Sequence, residues 1–173
     1  MLPFLLVSSP ALVNTTFGRS VVFVWQHDEN GAVGVIINQP SAEPVLEHIP
    51  EWERALAVPL VVFFGGPVEP ETAVGLAQGY EGSAPVGGGT ALVDLSLPPP
   101  EGLSACVRVF SGYTGWAPDQ LDAELEQGAW LTAPAFPEDL TTADADILWS
   151  DVIDRLSDDH RLLKTMPAVP RSN

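Results

Sequence analysis

Between Phe110 and Leu131 the chain runs FSGYTGWAPDQLDAELEQGAWL, and this stretch restricts the fold more than any other. Cys106 to Phe110 (CVRVF) is rich in β-formers and predicts a strand. Gly112 and Gly115 bracket Tyr113 and Thr114. Glycines so placed permit positive φ or close backbone approach, so a sharp turn is expected there. Pro118 suits the first turn of a helix. Asp119, Asp122 and Glu124 place negative charge near the helix start, where the macrodipole favours it. Leu121 and Leu125 fall on one helix face. Gly128 is placed just past the helix end, and Ala129-Trp130-Leu131 resumes extended chain. The unit is strand end, glycine turn, short helix, strand.

The rest of the chain supplies strands. Phe4 to Val7 is the first. Val21 to Trp25 is β-branched and aromatic, His27-Asp28-Glu29-Asn30-Gly31 is a turn with a strong Asn-Gly hairpin signal, and Ala32 to Ile37 returns, giving a hairpin over residues 20–38. Glu43 to Leu56 is expected to be partly helical, interrupted at Pro50. Leu60 to Phe64 is a short apolar run bounded by breakers, which fits a buried strand. Thr72 to Leu76 and Ala91 to Leu95 are further strands, separated by a glycine-rich loop over Gln78 to Gly89. Thr142 is a good N-cap. Leu148, Val152 and Leu156 then recur every four residues, predicting an amphipathic helix of about four turns. A further helical turn is expected over Asp158 to Leu163. No repeat or second domain is visible, so residues 1–173 read as a single domain.

Charge narrows the function. The net charge is -16 with 7 Lys and Arg in total. Such a surface repels phosphate backbones and anionic membranes. The single Cys106 permits no intrachain disulfide and no cysteine-based zinc cluster, and it reads as a buried, inert thiol. Residues 1–13 lack the basic start of a signal peptide and are too short to span a bilayer. A cytoplasmic location is expected.

The candidate chemistry is thin. His27 stands beside Asp28 and Glu29, but the three histidines (His27, His48, His160) are far apart. A turn or structural role is preferred to a ligand or base. Gly65 and Gly66, or Gly87 to Gly89, have bare backbone of the kind that cradles an anion, yet no P-loop follows, and tight-turn roles are preferred. Ser111-Gly112 after a strand resembles a nucleophile elbow but lacks its preceding glycine. Tyr113, Trp116 and Gln120 are the more interesting set: aromatics at a turn with one amide to line a shallow pocket. Trp130 reads as core. Arg19 and Asn38 flank the hairpin and are expected to bond its loops together. No metal site and no cofactor is expected.

The order Gly-Tyr-x-Gly-Trp-x-x-x-Gln-Leu, ending in Gly-Ala-Trp-Leu, resembles the AlgH/YqgE family of bacterial proteins. Phe17, Arg19, Ser20, Val21, Val22, His27, Gly31, Ala32, Gly34, Asn38 and Pro40 match its hairpin pattern, and Gly65-Gly66-Pro67-Val68 and Met166-Pro167 match further on. The similarity covers about residues 4 to 167. Asp119 stands where the family usually has glycine, which fits a helix-start role here. The resemblance implies an α+β fold, a mainly antiparallel sheet forming a bifurcated pseudo-barrel with helices packed on the outside. It implies no established enzymatic activity, although some members are labelled transcriptional regulators. Three readings follow: a non-enzymatic protein binding a protein partner or small ligand; an enzyme using His27 with a carboxylate from elsewhere in the fold; and a DNA-acting regulator, disfavoured by charge. Hydrogen-bond reach between His27 and an Asp or Glu, in a pocket, would favour the second.

Overall fold

The computed structural model describes residues 2–156. Its strands are β1 (Phe4–Ser8), β2 (Val21–Asp28), β3 (Gly31–Ile36), β4 (Pro40–Pro44), β5 (Val61–Phe64), β6 (Val68–Gln78), β7 (Pro85–Gly87), β8 (Thr90–Val93), β9 (Val107–Trp116) and β10 (Trp130–Pro134). The helices are α1 (Gln120–Glu126) and α2 (Leu148–Ile153), with 3-10 turns at Pro10–Leu12, Val45–Glu47, Pro50–Trp52 and Ala145–Ile147. The helical turn expected over residues 158–163, His160 and the Met166-Pro167 match lie outside the described residues.

Hydrogen bonding orders the strands β10-β1-β2-β3-β9-β6-β8-β7, and every one of those pairings is antiparallel. The sheet forks at β9. Its first half bonds β6 and also takes β5 in parallel, with Phe63 opposite Phe110. Its last residues bond β3, with Ala32 opposite Trp116. β4 lies beyond β5 as an edge strand. The result is a curled, mostly antiparallel α+β architecture.

The turn expected at Gly112 and Gly115 is therefore not a turn. β9 runs unbroken from Val107 to Trp116. Gly112 has φ 72° and sits where β9 exchanges one neighbour for another, so the glycine absorbs a bend inside a strand.

Alternating side chains build two opposed faces. Leu5, Val7, Phe23, Phe63 and Phe110 meet Leu148, Trp149, Val152 and Ile153 of α2 on one. Leu6, Val22, Val24, Trp116 and Trp130 meet Leu121 of α1 on the other. Val45, Trp52, Leu56, Val62, Val107 and Val109 form a third cluster where the 3-10 turns cover β5 and β9.

Residues 43–56 are helical in part, as expected, with the helix of 3-10 type: β4 ends at Pro44, and two 3-10 turns follow, the second begun by Pro50. Several other sequence expectations are corrected. The helix expected from Thr142 is a 3-10 turn followed by the six residues of α2. Thr142 Oγ1 accepts from the Asp144 amide at 3.1 Å, a local bond that competes with helix formation. β7 forms inside the expected loop 78–89, and β6 reaches well beyond Thr72 to Leu76 in both directions. Cys106 precedes β9 and is only half-buried.

Arg108 carries no distinguishing signal in the sequence, yet it is 1% exposed, with its guanidinium 4.1 Å from the Phe63 ring centroid. Nη2 donates to the carbonyls of Val58 (2.8 Å) and Thr141 (3.2 Å), and Nη1 to that of Thr142 (3.3 Å). Burial lowers its pKa to about 10. It pins the segment entering α2 to the middle of the sheet.

Candidate functional site

Tyr113 and Trp116 do not share a pocket. They are three residues apart on one strand and so project to opposite faces. Tyr113 packs beside the Phe63–Phe110 cluster, and its hydroxyl donates to Glu69 Oε2 at 3.0 Å. The Glu69 carboxylate that accepts this bond pushes the phenol above the usual tyrosine pKa. Trp116 is 7% exposed in the second cluster. Its indole N–H donates to Glu124 Oε1 at 3.1 Å, and that of Trp130 reaches the same oxygen at 2.9 Å. Gln120 Nε2 donates to Glu124 Oε2 at 2.8 Å, while its Oε1 accepts from the Ala117 amide at 2.9 Å. The Trp116 indole, with that of Trp130, is thus spent on holding α1 to β9 and β10, and the Gln120 amide on closing the first turn of α1.

The other sequence candidates divide in the same way. Asn38 Oδ1 accepts from the Val21 amide and Nδ2 donates to the Arg19 carbonyl, both at 2.9 Å, so Asn38 ties the hairpin's base to the loop before it. The Arg19 guanidinium lies 4.4 Å from the Trp149 ring centroid. Gly65 and Gly66 are buried against β9. The Gly65 amide donates to Ser111 O, and its carbonyl accepts from Ile36 N, each at 2.8 Å. Backbone committed in this way does not cradle an anion. His27 Nε2 lies 3.1 Å from Asp122 Oδ1 beside a shallow hollow of about 400 Å³ lined by Phe4, Leu125 and Thr132. The Asp122 side chain is 60% exposed, so water screens the pair.

A better-formed groove lies where no sequence motif points. It holds about 310 Å³. Val62 of β5 and Val109 of β9 floor it, and Val45, Ile49 and Leu95 of the same apolar cluster line it beside them. One wall is β4 and the following 3-10 turn, carrying Glu43 and His48; the other is the outer part of β6, carrying Pro70, Glu71 and Thr72. It opens because β6 leaves its ladder between Val68 and Ala73, with Glu69 at φ 46°. Gly75 lets Leu95 lie down on the sheet, since a Cβ there would be 2.8 Å from Leu95 Cδ2. The alternation Ala73, Gly75, Ala77 was the available signal: small residues on one face of a strand leave room for something else.

Chemically the groove has an apolar floor and acidic walls. His48 Nε2 faces Glu43 Oε1 at 2.7 Å. Glu71 has no hydrogen-bond or ion-pair partner among the described residues. Ser111 is at the margin, but its hydroxyl donates to the Pro70 carbonyl and so gives its proton to no imidazole. Serine, histidine and glutamate therefore share the groove without forming a nucleophile–base relay. Among the described residues no three His, Cys, Asp or Glu side chains are placed to hold a metal ion. No helix among them is long and apolar enough to cross a membrane.

This forked sheet occurs elsewhere. The chain is similar to a protein from Corynebacterium diphtheriae of known crystal structure, with a TM-score of 0.85 and 30% identity, covering 95% of this chain and 91% of that one. The solution structure of the AlgH protein from Pseudomonas aeruginosa matches with a TM-score of 0.69 and 27% identity, covering 95% and 93%. A UPF0301 protein of Streptomyces coelicolor is 39% identical, covering 98% of this chain and 93% of its own length. One from Mycobacteroides abscessus is 36% identical, covering 94% and 83%. The AlgH-like family model matches residues 5–161. The span takes in the fork at β9, the Trp–Glu124 anchor and both walls of the groove, and the chain belongs to the AlgH-like family.

Proposed function

We propose that this protein is a non-enzymatic, cytoplasmic binding module for a small ligand, and that the groove between β4 and the outer part of β6 is its site. The observation that carries this reading is the apolar floor of Val62 and Val109 under walls bearing Glu43 and Glu71. A volume of about 310 Å³ is at the small end of ligand cavities. A protein partner adding a strand is disfavoured. Pro40 and Pro44 bound the edge strand β4 and Pro70 lies in the exposed part of β6, and proline removes the donors such pairing needs. Direct DNA binding is disfavoured by the net charge of -16.

The test is a methyl NMR titration of the full chain with separate pools of small cationic, neutral and anionic compounds. At least one pool should shift the methyls of Val45, Val62 and Val109. Methyls that stay still in all three pools would refute the binding role.

A second reading has one observation in its favour. His27 meets the Asp122 carboxylate at 3.1 Å at the edge of a hollow, the geometry a general base requires. Its openness to water counts against it. Turnover of any ester, amide or phosphate substrate that disappears in His27→Gln would establish it over the first.

A further inference from the structure

We propose that the tip of the β2–β3 hairpin is a site of covalent self-modification, at which Asn30 loses its side-chain amide to attack by the Gly31 nitrogen and becomes aspartate or isoaspartate. The isoaspartate form then releases the closing pair of the hairpin. Water is the only co-reactant. The Gly31 nitrogen bonds to Asn30 Cγ and gives its proton to solvent. The carboxamide C–N bond breaks, and its nitrogen takes up a proton and leaves as ammonia. Water opens the resulting cyclic imide at either carbonyl, with no change of oxidation state.

The fold favours this position. Glu29 and Asn30 make the turn between β2 and β3, and Asp28, Glu29 and Asn30 are all exposed. Asparagine is among the thermolabile side chains. The Asn30 backbone amide donates to Asp28 Oδ1 at 2.8 Å, but its carboxamide has no partner among the described residues, so the reacting carbon is free to swing. Gly31 has no side chain to shield its nitrogen. It closes the ladder opposite Asp28, and the last pair of a hairpin opens more readily than those behind it. The other described asparagines lack this combination. Asn14 is exposed but is followed by the β-branched Thr15. Asn38 is half-buried, and both ends of its carboxamide are bonded, to the Val21 amide and the Arg19 carbonyl.

Isoaspartate inserts an extra carbon into the backbone between residues 30 and 31. β3 has no room to shift and absorb it. A Cβ on Gly31 would already lie 2.1 Å from the Trp116 carbonyl oxygen, and Ala32 is paired with Trp116 of β9. The exposed side of the turn yields instead, and the Asp28–Gly31 pair is lost. Either product also sets another carboxylate beside Asp28 and Glu29, where like charges repel.

The experiment ages the folded full chain in mildly alkaline buffer, alongside the same chain held unfolded in guanidinium chloride, and follows residues 14, 30 and 38 by peptide mass mapping. Isoaspartate is counted by methyl transfer from S-adenosylmethionine with an isoaspartyl carboxyl methyltransferase. In the folded chain the Asn30 peptide should be lost to its deamidated form while the Asn14 and Asn38 peptides persist. Asn30→Gln should abolish methyl acceptance. The Asp28 and Gly31 amide signals of the aged chain should leave their paired positions, whereas Asn30→Asp, which adds the charge without the backbone carbon, should keep them.

An Asn30 amide that survives in the folded chain while it is lost in the unfolded one would overturn the proposal, since the hairpin would then protect it. Equal loss at Asn14 or Asn38 would overturn it too, because the fold would be selecting nothing. An aged chain whose Asp28 and Gly31 signals match those of Asn30→Asp would overturn the release of the closing pair.

Discussion

Gly112 is held so close to Gly66 that a Cβ on Gly112 would lie 2.5 Å from the Gly66 carbonyl oxygen. This is the point where the chain leaving β5 crosses the middle of β9. Gly112 also has φ 72°. A Cβ on Gly115, three residues on, would find no neighbour nearer than 3.9 Å, and its φ is not positive.

The two glycines should therefore respond differently to substitution. Gly112→Ala combines left-handed strain with a backbone clash and should cost about 3 kcal/mol. Gly115→Ala should stay within about 0.5 kcal/mol of the parent. Urea unfolding midpoints at constant slope measure both. Equal effects would contradict the close crossing at Gly112.

Glu124 should act as a structural anchor. Glu124→Ala leaves the buried indole N–H groups of Trp116 and Trp130 without their acceptor and should cost about 3 kcal/mol, whereas Glu124→Gln keeps an acceptor and should cost about 1 kcal/mol. In Glu124→Gln the indole N–H signals of Trp116 and Trp130 should move together while that of Trp52, bonded to the Leu97 carbonyl, stays in place. Independent movement of the two would show that they do not share one carboxylate.

Asp119 occupies the N-cap of α1 at φ 66° and makes no side-chain capping bond. Asp119→Gly removes left-handed strain of about 1 kcal/mol and gives up a smaller helix-dipole term. A net gain of about 0.5 kcal/mol in urea unfolding is expected. A loss would mean that the carboxylate caps the helix in solution.

Tyr113 should titrate late. Its phenol is raised above the ordinary value chiefly by the bond to Glu69, so the fold favours the protonated form. That contribution is fully present below the ordinary tyrosine range and is lost as pH rises through the raised folded value. The phenolate absorbance difference between the parent and Tyr113→Phe should have its midpoint above the ordinary value, and Glu69→Ala should move it back. An unmoved midpoint in Glu69→Ala would remove Glu69 as the cause.

Much of the scaffold is legible in the sequence because it depends on local rules. The hairpin is visible in VVFVW, Asn30-Gly31 and the β-branched return, and it forms as β2 and β3. α1 is visible in Leu121, Leu125 and Gly128, the last with φ 75°. Gly112 suggests a turn because a positive-φ glycine looks the same in sequence whether it ends a strand or lets a second backbone pass. α2 is shorter than its pattern because periodicity does not reveal that the chain enters as a 3-10 turn and tightens again after Ile153, where the Arg155 and Leu156 amides bond the Val152 and Ile153 carbonyls.

The sequence by itself determined the α+β class, the family pattern, the acidic surface and most strands, since these follow from periodicity, turn chemistry and charge. Only the tertiary structure decided which side chains are spent and which are available. Trp116 and Gln120 looked like a site and are consumed by Glu124, while Val62 and Val109, from strands distant in the sequence, line one groove beside Glu71, whose side chain has no partner among the described residues. The reason is that hydrogen-bond partnership and cavity shape arise between elements distant in sequence, where no local pattern records them.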